Sequence, residues 1–394
     1  MTVATAGTCH PAFAPLRERL EKNIASGDEL GASLCVTIGD ETVVDIWGGH
    51  ADPARSKPWS EHTIVPVWSL SKPISNLGVL LLIDRGLVDP DAPLVTYWPE
   101  IAGAGRDDIL VRHVLGHTAG LPSWNPPLPA DQLYDLPAAA DALARQEPWW
   151  TPGTVAGYHA LSQGYLTDAL VRRVAGKPLG EFVRDELATP RAADFHFGVP
   201  ASEWGRIGEM VPPPPFKDMP GPESLVMRVL GGGSLPATES ATPAFWSAGI
   251  PSMGGIGNAR SVNRILSVVA QNGTVDGRRF MGAETIDAIF REQSPDKEIV
   301  MDMPVRFGMG FALSPPLSLS EEEKNSMSWL PAGRVCWWGG WGGSIGVVDI
   351  DRQITITYVM NHMGPGTIGG PRATEYVTAI YELVQAYEAF IASK

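Results

Sequence analysis

The sequence predicts an α/β protein in which both ends of the chain build one sheet and a mostly helical domain is inserted between them. Three observations predict it. Two β-rich runs stand near the start, three more stand in the last fifth, and residues 76–198 follow a helical pattern with few strand candidates. With 394 residues the chain is long enough for two domains, and at 44% hydrophobic it can bury a large core without disulfides or metals.

In chain order, residues 12–27 read as an amphipathic helix ending near Gly27. Ala32 to Ile38 and Thr42 to Trp47 read as strands joined by a Gly39-Asp40 hairpin turn. Helical stretches follow at Leu77–Ile83, Val111–Leu115, Ala138–Arg145, Gly164–Val174 and Leu179–Leu187. The run Val211-Pro212-Pro213-Pro214-Pro215 is a rigid spacer or ordered loop leading back to the sheet. Gly333–Trp338, Ser344–Asp349 and Gln353–Met360 are strand candidates, and Thr374–Ala392 is a long closing helix. The expected division is 1–66 with 225–394 for the sheet domain, and 67–224 for the helical one.

Composition removes several functions. Thirty basic against 44 acidic side chains give a formal charge of −14, which disfavours nucleic acid. No apolar run approaches the ~20 residues of a membrane helix. The opening Met1-Thr2-Val3-Ala4-Thr5-Ala6 lacks the basic and apolar regions of a secretory signal, so a cytoplasmic protein is expected. The three cysteines are odd in number and widely spaced, which argues against a disulfide framework and a thiolate metal site. His113 and His117 share an H-x-x-x-H spacing, but Val114 stands where a zinc protease carries Glu. No metal or cofactor is expected, and nothing indicates an oligomer.

The strongest chemical signal is Ser69-Leu70-Ser71-Lys72. Three-residue spacing on a helix sets Ser69 beside Lys72, and a serine hydroxyl needs such a base within hydrogen-bond reach. Lysine serves as that base only if burial or charge lowers its pKa, and the apolar run Val79–Ile83 supplies the burial. Pro73 cannot complete the first turn, so an irregular start is expected. The alternative is a helix cap with a surface lysine. A second S-x-x-K, Ser294-Pro295-Asp296-Lys297, is flanked by charges and reads as a solvated turn.

Tyr158, in Gly157-Tyr158-His159-Ala160, can be a general acid/base if nearby cations favour its phenolate, or simply a packed tyrosine. Trp337-Trp338-Gly339-Gly340-Trp341-Gly342-Gly343 allows close backbone approach to a ligand and an oxyanion hole, or else is a bulged edge strand. Gly342-Gly343-Ser344-Ile345-Gly346 matches the G-x-S-x-G nucleophile elbow. Ser344 nevertheless opens a strand rather than a helix, and is rejected as nucleophile. His117, between Gly116 and Gly120, is a triad base, a metal ligand with His113, or a structural turn residue; the flanking glycines favour the last.

Taken in order, Ser69-x-x-Lys72, His117-Thr118-Ala119-Gly120-Leu121, Tyr158-His159-Ala160, Gly254-Gly255-Ile256-Gly257 and Trp338-Gly339-Gly340 resemble the serine β-lactamase and penicillin-binding-protein superfamily on its class C side, most of all the family VIII carboxylesterases. The resemblance implies a β-lactamase-like α/β fold, with an antiparallel sheet flanked by helices and an active-site cleft against the helical domain. It implies Ser69 as nucleophile, Lys72 and Tyr158 as the proton-transfer pair, and the backbone N–H groups of Ser69 and Trp341 as oxyanion hole. Trp338, Gly339, Gly340, Trp341, His159 and Trp124 are the expected substrate contacts, and Trp68, Trp149 and Trp150 further wall candidates. Trp338 falls where relatives carry the Lys of Lys-Thr-Gly, and an indole brings no charge to a substrate carboxylate. A small neutral ester is therefore the expected substrate. Acyl transfer through the same Ser69 is the alternative, ahead of weak β-lactamase or peptidase action and non-catalytic ligand binding.

Overall fold

The computed structural model describes residues 5–215, 220–233, 235–294, 297–315 and 327–392, the last five by backbone only. An eight-stranded antiparallel sheet runs in the order β1-β3-β2-β13-β12-β11-β10-β9. Its strands are β1 (Ala6–Cys9), β2 (Gly31–Ile38), β3 (Glu41–Gly49), β9 (Arg306–Phe307), β10 (Ala312–Leu313), β11 (Val335–Gly339), β12 (Ile345–Asp349) and β13 (Ile354–Met360). Both ends of the chain therefore share one sheet, as expected. Every residue of β13 is buried, because β2 and β12 flank it and helices cover both faces. A three-stranded sheet joins β4 (Val65–Pro66), β6 (Gly255–Gly257) and β5 (His196–Phe197), and β7 (Thr274–Val275) pairs with β8 (Arg278–Arg279).

The helices are α1 (Ala14–Ser26), α2 (Ser71–Asp84), α3 (Val111–Leu115), α4 (Leu136–Leu143), α5 (Ser162–Ala175), α6 (Leu179–Val183), α7 (Leu225–Gly231), α8 (Pro243–Ala248), α9 (Ala259–Ala270), α10 (Ala283–Ile289) and α11 (Pro371–Ala392). In α1, Leu16, Leu20 and Ile24 recur every fourth residue and form its buried stripe; Gly27, at φ 86°, closes it in the left-handed conformation that glycine tolerates. The helix α9 lies on the sheet, capped by Asn258, whose side chain accepts from Ser261 N at 3.0 Å. Asn263 fixes it there by donating to Cys35 O (3.1 Å) and Thr355 O (2.9 Å). Among the described residues, no helix is long and apolar enough to cross a membrane.

The strands β1, β9 and β10 were not foreseen. They are two to four residues long, too short to show an alternating pattern. Residues 225–248 also pack differently from the expected division at 224/225. Ser123 donates to Val229 O (2.8 Å), Leu128 N to Gly232 O (3.0 Å) and Tyr134 to Glu239 (2.8 Å), all from the helical segment.

Candidate active site

Ser69 lies in a 3-10 turn, Trp68–Leu70, that runs directly into α2. The irregular start expected from Pro73 is thus present. Trp68 takes φ 54°, a left-handed conformation that costs a bulky side chain about 1–3 kcal/mol. Two contacts hold it: Ser71 Oγ donates to Trp68 O at 2.5 Å, and Gly255 N donates to Ser71 Oγ at 2.9 Å. The small sheet therefore fixes the turn that presents Ser69, since Val67 N also donates to Gly255 O at 2.9 Å.

Lys72 Nζ lies 3.2 Å from Ser69 Oγ, 2.6 Å from Ala160 O and 2.9 Å from Ser252 O, with 1% of the side chain exposed. Burial alone drives its pKa well below the usual lysine value. A neutral amine has two N–H groups, which the two carbonyls use, and one lone pair, which then faces the Ser69 hydroxyl. Tyr158 OH lies 2.8 Å from Ser69 Oγ. Its pKa is raised, chiefly by burial; the Ser69 hydroxyl and Trp338 indole oppose this, and Glu298 adds to it. The expectation of a phenolate stabilised by cations is therefore corrected. With Lys72 itself driven neutral, little charge offsets burial, and Tyr158 remains a protonated donor.

The segment bearing Tyr158 has no regular secondary structure, yet its polar groups are satisfied one by one. Gly157 N donates to His117 O (2.9 Å), Tyr158 N to Glu298 Oε1 (2.6 Å) and His159 N to His117 Nδ1 (3.1 Å). His159 Nε2 accepts from Leu121 N (3.1 Å), which places its proton on Nδ1, 2.6 Å from Gly157 O. Both imidazoles thus carry accepting nitrogens. Burial is the first cause of their lowered pKa values, to about 4 for His159 and well below the usual value for His117. His117 stands at φ 59° and spends Nδ1 on a backbone amide, as His113 does on Leu110 N (3.2 Å). This is the structural turn favoured from its flanking glycines.

The β11–β12 turn approaches Ser69 from the other side. Gly340 N donates to Ser344 O (2.7 Å), Gly343 N to Gly340 O (3.2 Å) and Gly342 N to Gly366 O (3.1 Å), which fixes the turn carrying Trp341. Gly342 and Gly343 take φ 86° and 136°, where a side chain would strain the backbone. Ser344 is fully buried and donates to Val67 O at 2.7 Å, joining this turn to the one that presents Ser69. The Trp68 and Trp341 rings meet edge to face at 5.1 Å.

Ser69 and Tyr158 open into a cavity of about 240 Å³ lined by Trp68, Trp341, Ala160, Leu161, Met227, Leu230, Gly231, Leu235, Met253 and Thr367. None of these side chains is charged. Of the expected substrate contacts, Trp341 alone lines this cavity, joined by the wall candidate Trp68. His159 is fully buried and spent on backbone groups. Trp124 is buried, donates to Ala139 O (2.8 Å) and packs on Tyr165. Trp338 is buried behind Tyr158, with ring centres 5.4 Å apart. Trp149 and Trp150 do not line it either. Gly339 and Gly340 serve backbone packing: a β-carbon would meet Gly369 N at 2.3 Å from Gly339, and Val67 O at 2.3 Å from Gly340. The apolar walls from α7 and from Leu235 and Met253 were missed, although Leu225-Val226-Met227 and Val229-Leu230 form a visibly apolar run after the prolines.

The second S-x-x-K is corrected in part. Ser294 is buried and its Oγ accepts from Phe307 N at 2.8 Å, whereas Lys297 is exposed and paired with Asp302 at 2.8 Å. Pro295 and Asp296 lie outside the described residues.

Comparison with known proteins places this geometry in context. The family model Beta-lactamase matches residues 16–378. The chain is 31% identical over 350 residues to Esterase/beta-lactamase LipL of Mycobacterium tuberculosis, covering 84% of this chain and 77% of that protein. It is similar to the crystal structure of a family VIII carboxylesterase, with a TM-score of 0.87 and 33% identity over 96% of this chain and all of the other. A penicillin-binding-protein homolog from Caulobacter crescentus matches with the same TM-score and coverage at 30% identity.

Proposed function

The chain belongs to the Beta-lactamase family, and within it we propose that it is a serine hydrolase that cleaves small neutral carboxylic esters through an acyl-enzyme on Ser69. One observation carries this reading: Ser69 Oγ is within 3.2 Å of both Lys72 Nζ and Tyr158 OH at the mouth of an uncharged apolar cavity. The esterase names of the relatives agree with it.

Neutral Lys72 takes the Ser69 proton as Oγ attacks the ester carbonyl. The carbonyl oxygen, now negative, is held by the backbone N–H groups of Ser69 and Trp341. Collapse expels the alkoxide, which takes a proton from Tyr158, and Lys72 passes the proton it took from Ser69 to the resulting phenolate. Water then attacks the acyl-enzyme as Lys72 takes its proton; that proton passes to Ser69 Oγ as its bond to the acyl carbon breaks, and the acid leaves. The walls present indole, thioether and alkyl surface, which suits an apolar acyl or alcohol group, and offer no cation to a substrate carboxylate.

Replacing Ser69 by Ala is expected to abolish turnover of p-nitrophenyl butyrate and labelling by a fluorophosphonate, read by intact-protein mass. Retained turnover in S69A would overturn the assignment.

A further inference from the structure

The reaction as drawn makes no use of Glu298, a carboxylate with 1% of its surface exposed. Burying such a group is costly, and three backbone amides are spent on it. Oε1 accepts from Tyr158 N (2.6 Å) and Val300 N (2.8 Å), and Oε2 from Met301 N (2.6 Å). Two of these lie within its own turn, and a carboxylate that only closed that turn would need no more. The third comes from a residue 140 positions away, the one whose phenol touches Ser69. A second bond runs alongside, from Ile299 N to Ala156 O at 3.0 Å.

We infer that Glu298 is a positioning residue for the reaction, holding the Tyr158 main chain so that the phenol stays on Ser69 Oγ. The inference rests on the role proposed for Tyr158. It follows from how that residue is held. His117 grips the same stretch from the opposite side, through Gly157 N and His159 N, so Glu298 completes a two-sided clamp on an irregular segment. No regular hydrogen-bond ladder exists there to do the work instead.

The carboxylate also acts through its charge. The titratable groups facing Tyr158 are Lys72, whose Nζ is 4.8 Å from its ring centre, His117 at 5.3 Å between rings, the neighbouring His159, and Glu298; Asp302 faces Glu298. Burial drives Lys72 and both histidines toward their neutral forms and raises the Glu298 carboxyl as well, but the three backbone N–H groups donated to its two oxygens act to keep it ionised, and a negative charge there disfavours the phenolate.

The test is Glu298→Gln, with hydrolysis rates divided by the number of active sites titrated with a fluorophosphonate. Glutamine keeps the size but turns an NH2 toward an amide that needs an acceptor. The expected result is a loss of about 10–100-fold in kcat with KM little changed, from displacement of a reacting group. The alkaline limb of the pH profile should move to lower pH, because removing the negative charge eases ionisation of Tyr158. A purely structural role would lower the number of active sites and leave both readouts in place; that result overturns the inference. Should E298Q not fold, Glu298→Asp keeps the charge and withdraws it by one methylene. Reduced kcat with an unmoved alkaline limb supports the inference, and unchanged kcat overturns it. Tyr158→Phe separates the two levels: full activity in Y158F removes the reading of Tyr158 itself, whereas an inactive Y158F beside an unaffected E298Q removes only the role of Glu298.

Discussion

Lys72 is the residue on which the proposed chemistry turns, because its usefulness depends on being uncharged. Arginine at this position stays protonated and offers no lone pair. Lys72→Arg is therefore expected to lower kcat/KM for p-nitrophenyl butyrate by at least about 100-fold, the lower end of what a positioned base supplies. Activity within tenfold of the parent would remove Lys72 as the base. Ser69 and Lys72 were legible from sequence because a three-residue spacing converts directly into proximity on a helix. Tyr158 was legible by its motif and resemblance, but its ionisation was not. Burial decides that, and burial comes from elements distant in sequence. Glu298 left no sequence signal, since it binds the backbone amide of Tyr158 rather than a side chain. That His159 and Trp124 lie off the cavity lining was not legible for a related reason: an aromatic beside a motif looks like a ligand contact until its nitrogen is found on a backbone group.

At the scale of elements, the β11–β12 turn and the 3-10 turn before α2 act as one unit joined by Ser344. Ser344→Ala loses one buried hydrogen bond, for which about 1 kcal/mol is typical, but keeps the hydroxyl of Ser69. It is expected to remain labelled by a fluorophosphonate, which S69A is not; loss of labelling in a folded S344A would revive Ser344 as nucleophile. Gly340→Ala makes a sharper demand, because the added carbon would fall 2.1 Å from Ser344 Oγ and 2.3 Å from Val67 O. Both atoms belong to the junction, so the turns must separate, and kcat is expected to fall more in G340A than in S344A. The strands and the turn were readable from β-rich runs and clustered glycines. The partner of the turn was not, because a serine in a G-x-S-x-G string says nothing of which carbonyl it will find.

Across the whole molecule, pH acts through groups far from one another. His159 has a pKa of about 4 in the folded chain, His113 likewise, and His117 is lowered too, all first by burial. Below about pH 6.5 the unfolded chain binds protons that these rings refuse, so stability is lost as pH falls. Glu29, raised to about 7 by burial, acts in the opposite sense, since the unfolded carboxyl ionises first as pH rises. Four lowered imidazoles, His362 included, against three carboxyls raised by burial, Asp168 and Glu298 with Glu29, predict a lower urea midpoint at pH 5 than at pH 7; a higher midpoint at pH 5 would contradict the neutral histidine assignments. The overall architecture was legible because strand-rich ends and a helix-rich middle leave few alternatives. Glu29, however, meets Tyr358, which hydrogen-bonds it from 329 positions away, and Arg372, an ion pair at 2.8 Å. The same distance governs the order of assembly. The central strand β13 enters the sheet between β2 and β12, so a chain emerging from the ribosome carries an unpaired β2 edge until β13, far along the chain, is made. Closing so long a loop is slow, and an open strand edge invites pairing with other chains. Until β13 is made, the newborn chain depends on whatever shields that edge.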